Sequence, residues 1–266
     1  MTTVKANNRR IVAVLLTVVM VFALVAGVIN TGRANAVGTP STLIGRSLPT
    51  AGKVVDVSKW NGDVNMLTMK SQGVSGVMIR ASYGTEKDSK FDQNCLNAGL
   101  ALLPYGAYSY ATWHIRTNFA QAMIKATQEA NALVAYLSTK VVSGYVALDL
   151  EVNNVNNIYL NKTELTAVAN YYMGILKATG YKPMLYTSAS LLATHMNASA
   201  ISYPLWLAYY YDSGSRDFPS TGYGAIMKNL KSRIVMWQYT CKGRGVQYGT
   251  SGGNVDLNYL YYSFIG

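Results

Sequence analysis

The stretch YVALDLEVNNVNNIYLNKTELTAVANYYMGILKATGYKPMLYT, residues 145–187, decides the fold class. Its first apolar run, 145–151, has strand length, and so has the last, 182–187. Between them Leu165, Val168, Ala169, Tyr172 and Leu176 fall on one stripe at helical spacing, which predicts a helix over 164–179. Asn161 followed by Glu164 has the spacing of a capping box, and Gly180 and Pro183 mark the stop. Strand, helix and strand in that order form a βαβ unit with parallel strands.

Working outward, the alternation continues. Strands are predicted at 54–58, 76–81, 103–110, 204–209, 234–240 and 254–258, beside the two already named. A second long helix is predicted over 115–137, with Phe119, Ala122, Met123, Ala126, Ala130, Leu133 and Leu137 facing inward. Eight strands in one domain predict an α/β fold, a closed TIM-like barrel near the small end of the (β/α)₈ range. The last three strands have no long helical pattern between them, so an irregular barrel is expected there.

The chain has 266 residues, half of them hydrophobic and only 13% charged, which excludes a disordered chain. Two cysteines and two histidines are too few for a disulfide-stapled scaffold or a Cys/His-built metal centre. Cys95 and Cys241 are either a long-range disulfide or two thiols, and sequence leaves both open. The net charge of +11 is lopsided: six basic residues and no acid precede residue 54, leaving +5 for the remainder. That remainder has no basic block, which suits docking on an anionic polymer and argues against nucleic acid.

Lys5, Arg9 and Arg10 precede the apolar run IVAVLLTVVMVFALVAGVI, and Ala34-Asn35-Ala36 follows it. This is the pattern of a secretory signal peptide over 1–36 cleaved after Ala36, with an uncleaved membrane anchor as the alternative. Either way the rest lies outside the cytoplasm and touches the membrane only through that segment. Residues 37–52 are rich in Gly, Pro, Ser and Thr and are expected to be a linker to a catalytic barrel over 53–266.

In such a barrel, chemistry sits at the C-terminal ends of the strands. Of only 12 acids, Asp56 ends the first strand, Asp149 and Glu151 the fourth, and Asp256 lies on the last. Residues i and i+2 of a strand share a face, about 6.8 Å apart. Two carboxylates on an apolar strand repel each other and resist ionisation, so one can serve as a general acid while the other stays charged. Paired carboxylates across a sugar bond are the common apparatus of glycoside hydrolysis. Structural ion pairs with Lys or Arg are the competing account of the same spacing.

Trp60, Tyr108, Tyr110, Tyr186, Trp206, Tyr209, Trp237 and Tyr239 cluster near the same strand ends, where rings can stack on sugars or simply fill the core. No phosphate-binding glycine motif follows a strand, no GxSxG elbow is present, and neither cysteine has a protease signature.

Eight fragments then occur in order: DVSKWNG (56–62), GVMIRASYG (76–84), LPYGAYSY (103–110), VALDLE (146–151), GYKPMLYTS (180–188), YPLWLAYY (203–210), MWQYT (236–240) and VDLN (255–258). Together they resemble the glycoside hydrolase family 25 lysozymes, the Chalaropsis-type muramidases. The resemblance implies a (β/α)₅(β)₃ barrel that cleaves the β-1,4 bond between N-acetylmuramic acid and N-acetylglucosamine in peptidoglycan. It implies Glu151 as general acid, Asp149 as partner of the substrate N-acetyl group or of the cationic transition state, and Asp56 and Asp256 as supporting acids. Trp60, Tyr108, Tyr186, Trp206, Tyr209, Trp237, Gln238 and Asn258 are the expected substrate-binding residues. No metal or organic cofactor is implied, the partner is the glycan strand, and a monomer is expected. A non-catalytic wall-binding module and a hydrolase of another amino-sugar polymer such as chitin are the rivals. Two departures bear on substrate preference: Tyr83 stands where many members carry Glu, and Tyr108-Ser109-Tyr110 replaces Y-H-F, removing a polar ring expected near the groove.

Overall fold

The computed structural model describes residues 52–152, 154–211 and 216–262. The expected signal segment and nearly all of the linker lie outside them.

The elements are β1 (Gly52–Val57), α1 (Met66–Ser71), β2 (Val74–Tyr83), β3 (Glu86–Lys87), α2 (Phe91–Leu100), β4 (Tyr105–Tyr110), α3 (Phe119–Leu137), β5 (Val146–Asp149), α4 (Lys162–Ala178), β6 (Pro183–Ser188), α5 (Ala189–His195), β7 (Leu205–Ala208), α6 (Tyr223–Ile226), β8 (Ile234–Arg244) and β9 (Asn254–Leu260). The sheet runs β1-β9-β8-β7-β6-β5-β4-β2-β3, and a β1–β2 pairing closes it into an eight-stranded barrel with β3 hanging from β2. Around the barrel the pairings β1–β2–β4–β5–β6–β7–β8 are parallel and β9 is antiparallel to both of its neighbours, while β3 pairs antiparallel with β2 outside the ring. Five β/α units followed by three strands is the architecture the sequence predicts.

β9 reverses because only a short 3₁₀ turn, Gly245–Tyr248, and Gly252 and Gly253 at positive φ separate it from β8. A parallel strand needs a crossover of a dozen residues or more; a hairpin does not. The reversal brings the start of β9 to the mouth formed by the C-terminal ends of the other strands.

Helix α4 begins as expected, with Asn161 accepting from the Glu164 N–H and Glu164 reaching back to the Asn161 N–H. The helix expected from residue 115 begins only at Phe119. Ile115 is drawn into a bridge with Ile158, Arg116 has φ +52°, and Asn118 closes a capping box with Gln121. Strand β5 stops at Asp149, so Glu151 lies just beyond the ladder rather than on it. Cys95 and Cys241 are both free thiols.

Two apolar layers result. Helices pack on the outside of the sheet through faces such as Ala122, Ala126, Ala130 and Leu133. Inside the barrel, Val54, Met78, Tyr108, Ala147, Met184 and Trp206 form a separate plug. That plug is the floor of the site.

Candidate active site

The period of two along each strand carries the site upward from the plug. Val54 faces inward, and so two residues on does Asp56; Ala147 leads to Asp149 in the same way. Asp56 and Asp256 are register partners across the antiparallel β1–β9 pair, so their side chains start side by side. All four acids meet at the barrel mouth.

Each has its proton affinity raised, burial being the first cause. For Asp56 the charge of Asp256 adds to burial, and for Asp149 the charges of Glu151 and Asp56 do; for Glu151 the bond to Asp149 pulls the other way, and the charge of Asp256 adds to burial as a smaller contribution. Asp256 is raised by burial alone, its contact with Asp56 pulling the other way. The side chains of Asp149 and Glu151 hydrogen-bond to each other, as do those of Asp56 and Asp256. Two carboxyl groups in such contact titrate as a pair. The buried cation Arg80 already pairs with Asp88 at 2.8 Å and counteracts the shift on Asp149 only as a lesser contribution.

Asp56 is held in place from beneath. Asn258 Nδ2 donates to Asp56 Oδ2 at 2.9 Å and to the Val54 carbonyl at 3.1 Å, while Asn258 Oδ1 accepts from Trp206 Nε1 at 2.7 Å. Gln238 Nε2 donates to Asp56 Oδ2 at 3.2 Å and reaches Asp256 Oδ2 at 3.5 Å. Gln238 Oε1 accepts from Tyr186 at 2.8 Å and Tyr210 at 2.7 Å, which fixes the orientation of the amide. These bonds favour the ionised form of Asp56 against its burial.

Of the eight expected substrate-binding residues, Tyr209 lines a cleft of about 370 Å³ beside Glu151, and Trp60 is 79% exposed after β1. Tyr108, Tyr186, Trp206, Trp237, Gln238 and Asn258 are buried. Tyr186 also reaches the cleft wall, and Trp237 turns to the helix side, donating to the Tyr209 carbonyl at 2.8 Å. Tyr210, Tyr223, Ser188 and Ser190 also line the cleft. Of these, Tyr210 was legible: it follows Trp206 and Ala208 at the strand period.

His114 carried no sequence signal. Its ring is 2% exposed, one nitrogen donates to the main-chain carbonyl of Glu151, and Nδ1 has no partner. Burial pushes its pKa down to about 4. The position of Ser109 corrects an expectation. Its hydroxyl is fully buried on the helix side, 2.7 Å from Ser82, so a ring there would not stand near the groove.

Coupled carboxyl pairs at the C-terminal mouth of a β/α barrel, opening on an aromatic-lined cleft, define a barrel enzyme of the glycoside hydrolase class. The chain belongs to the Glycosyl hydrolases family 25, whose signature it matches over residues 55–247. It is 28% identical over 212 residues to Lysozyme M1 of Streptomyces globisporus, covering 77% of this chain and 66% of that protein. It is 25% identical over 210 residues to the autolytic lysozyme of Clostridium acetobutylicum, covering 77% of this chain and 55% of that one. The chain thus spans only part of the length of these two relatives. The crystal structure of the bacterial lysozyme from Streptomyces coelicolor is similar, with a TM-score of 0.60 and 28% identity over 80% of this chain and 93% of that one.

Proposed function

We propose that this protein is a muramidase that hydrolyses the β-1,4 bond between N-acetylmuramic acid and N-acetylglucosamine in peptidoglycan. The observation that carries the proposal is the Asp149–Glu151 carboxyl pair at the edge of the cleft, both members held above the ordinary carboxylate range chiefly by burial. Membership of the family and likeness to proteins named lysozymes support the substrate class.

Glu151 is the less buried of the pair and lines the cleft, so it is the group that gives its proton to the glycosidic oxygen as the C1–O bond breaks. Asp149, left ionised, accepts the N–H of the substrate's 2-acetamido group. The acetamido carbonyl oxygen then attacks C1 and forms a cyclic intermediate. Water opens that ring, giving one proton to the Glu151 carboxylate and restoring the acid. Asp56 and Asp256 orient water, substrate and the first pair. Residues 1–36 are proposed to export the chain, 37–52 to link and 53–266 to act as a monomer on the wall outside the cytoplasm.

Incubation of the protein with intact peptidoglycan and mass spectrometry of the released fragments tests this. Fragments with reducing-end N-acetylmuramic acid are expected, and Glu151→Gln lowers their rate by about 10²–10⁴ with the fold retained. Release from chitin instead, or adsorption without release, overturns the assignment.

A further inference from the structure

The barrel rim carries a second aromatic feature, on the other side of the acids from the cleft. Along β2 and β4 the register passes from Arg80 opposite Tyr108 to Ser82 opposite Ser109, so Ala81 is an extra residue, a β-bulge. The bulge inverts the facing of β2 beyond it. Ser82 turns to the helix side, where it meets Ser109, and Tyr83 turns to the mouth beside Tyr110. There the two rings stack, with centroids 4.7 Å apart and planes 7° from parallel.

Tyr83 is 48% exposed, yet the backbone beneath it is fixed. Gly84 N–H donates to the Tyr110 carbonyl at 2.8 Å, Tyr83 pairs with Glu86 across a tight hairpin, and Tyr136 donates to the Thr85 carbonyl at 2.8 Å. Tyr110 in turn stands opposite Asp149 in the β4–β5 register. A rigid, half-bare aromatic plate next to the reacting carboxyls has no packing role that explains its exposure. Tyr83 lies two strands from Asp149, about 10 Å, the length of a disaccharide.

We propose that the Tyr83–Tyr110 stack is a saccharide subsite that takes the apolar C–H face of one pyranose of a β-1,4-linked amino-sugar strand. The strand then crosses the mouth from the Tyr209–Tyr210–Tyr223 cleft, past Glu151, to Tyr83. The proposal deepens the muramidase assignment and rests on it for the direction of the strand.

The test uses peptide-free glycan strands of alternating N-acetylglucosamine and N-acetylmuramic acid, of defined length from two to eight sugars. Binding to the full chain is measured calorimetrically in a Glu151→Gln background, and hydrolysis with Glu151 intact. Tyr83→Ala weakens binding of the long strands about tenfold and leaves the disaccharide unaffected, because a fragment that short does not reach from the cleft to Tyr83. Tyr83→Phe, which keeps the stacking face, stays within about twofold of the parent. Melting temperatures of the variants separate lost contact from lost fold, and Tyr83→Leu keeps the bulk if Ala does not fold. Equal binding by Tyr83→Ala on long strands, or an equal loss at every length, overturns the subsite. Length-dependent binding without hydrolysis by the intact protein overturns the muramidase assignment and leaves the subsite standing. No binding at any length overturns both.

Discussion

Lowering the pH from 7 to 4 destabilises the protein, relative to a His114→Phe variant, by about 3 kcal/mol. In the folded protein the His114 ring is buried beneath Glu151, and burial pushes its pKa down to about 4 from an ordinary 6.5. As pH falls below 6.5 the unfolded chain takes up this proton while the folded chain does not, so stability is lost progressively down to the folded value and is constant below it. The interval spans about 2.5 pH units at about 1.4 kcal/mol each. Phenylalanine fills similar space without titrating, so its own cost, including the lost bond to the Glu151 carbonyl, is a constant offset. The carboxyl groups of the site titrate in both proteins and cancel in the difference. Urea unfolding of both proteins at half-unit steps from pH 7 to 4 reads the gap directly. A gap constant within about 0.5 kcal/mol over that range refutes the account of a buried neutral imidazole.

Three further outcomes follow from the geometry. Asp256→Asn removes a charge that helps raise Glu151 and Asp56, so the alkaline limb of the kcat/KM profile, set by loss of the Glu151 proton, moves to lower pH; an unmoved or rising limb counts against the coupling. Gly106→Ala places a methyl group against the Tyr145 carbonyl and 2.6 Å from Met78 Sδ, in a strand whose neighbours cannot retreat, and lowers stability by about 1–3 kcal/mol by thermal or urea unfolding. Cys95, its thiol pushed up to about 12 mainly by burial, resists iodoacetamide at pH 8 until the protein is denatured, as peptide mapping reports.

The strand–helix alternation was legible because burial on both sides of a parallel sheet and on one stripe of each helix imposes a period that single residues cannot hide. The four acids were legible for a related reason: in a chain so poor in charge, an acid inside an apolar strand stands out. The amides were not. Gln238 and Asn258 share the inward facing of the acids, and alternation cannot distinguish an amide lining a groove from one holding a carboxylate from below. That distinction lies in Trp206, Tyr186 and Tyr210 reaching them from two other strands. The bulge at Ala81 is likewise silent, since one extra residue leaves the composition of a strand unchanged while inverting every side chain after it. His114 was missed because its partner is a main-chain carbonyl, and every residue has one.

The site and its support pull stability in opposite directions with pH. Asp56, Asp149, Glu151 and Asp256 all hold their protons more tightly in the fold than in the unfolded chain. Their contribution is therefore full below the ordinary carboxylate range and is lost as pH rises through their raised values. His114 behaves the other way, contributing fully above 6.5 and losing that contribution toward 4. The carboxyls cannot be fully relieved by a cation without surrendering the proton that Glu151 must donate, and Arg80, bonded to Asp88, offsets the shift on Asp149 only as a lesser contribution. A cationic imidazole under Glu151 would have the same effect as a nearby lysine, pulling the proton off the acid. Keeping His114 neutral by burial thus protects the chemistry of the residue it supports, and the acid-side loss of stability is the cost of that arrangement.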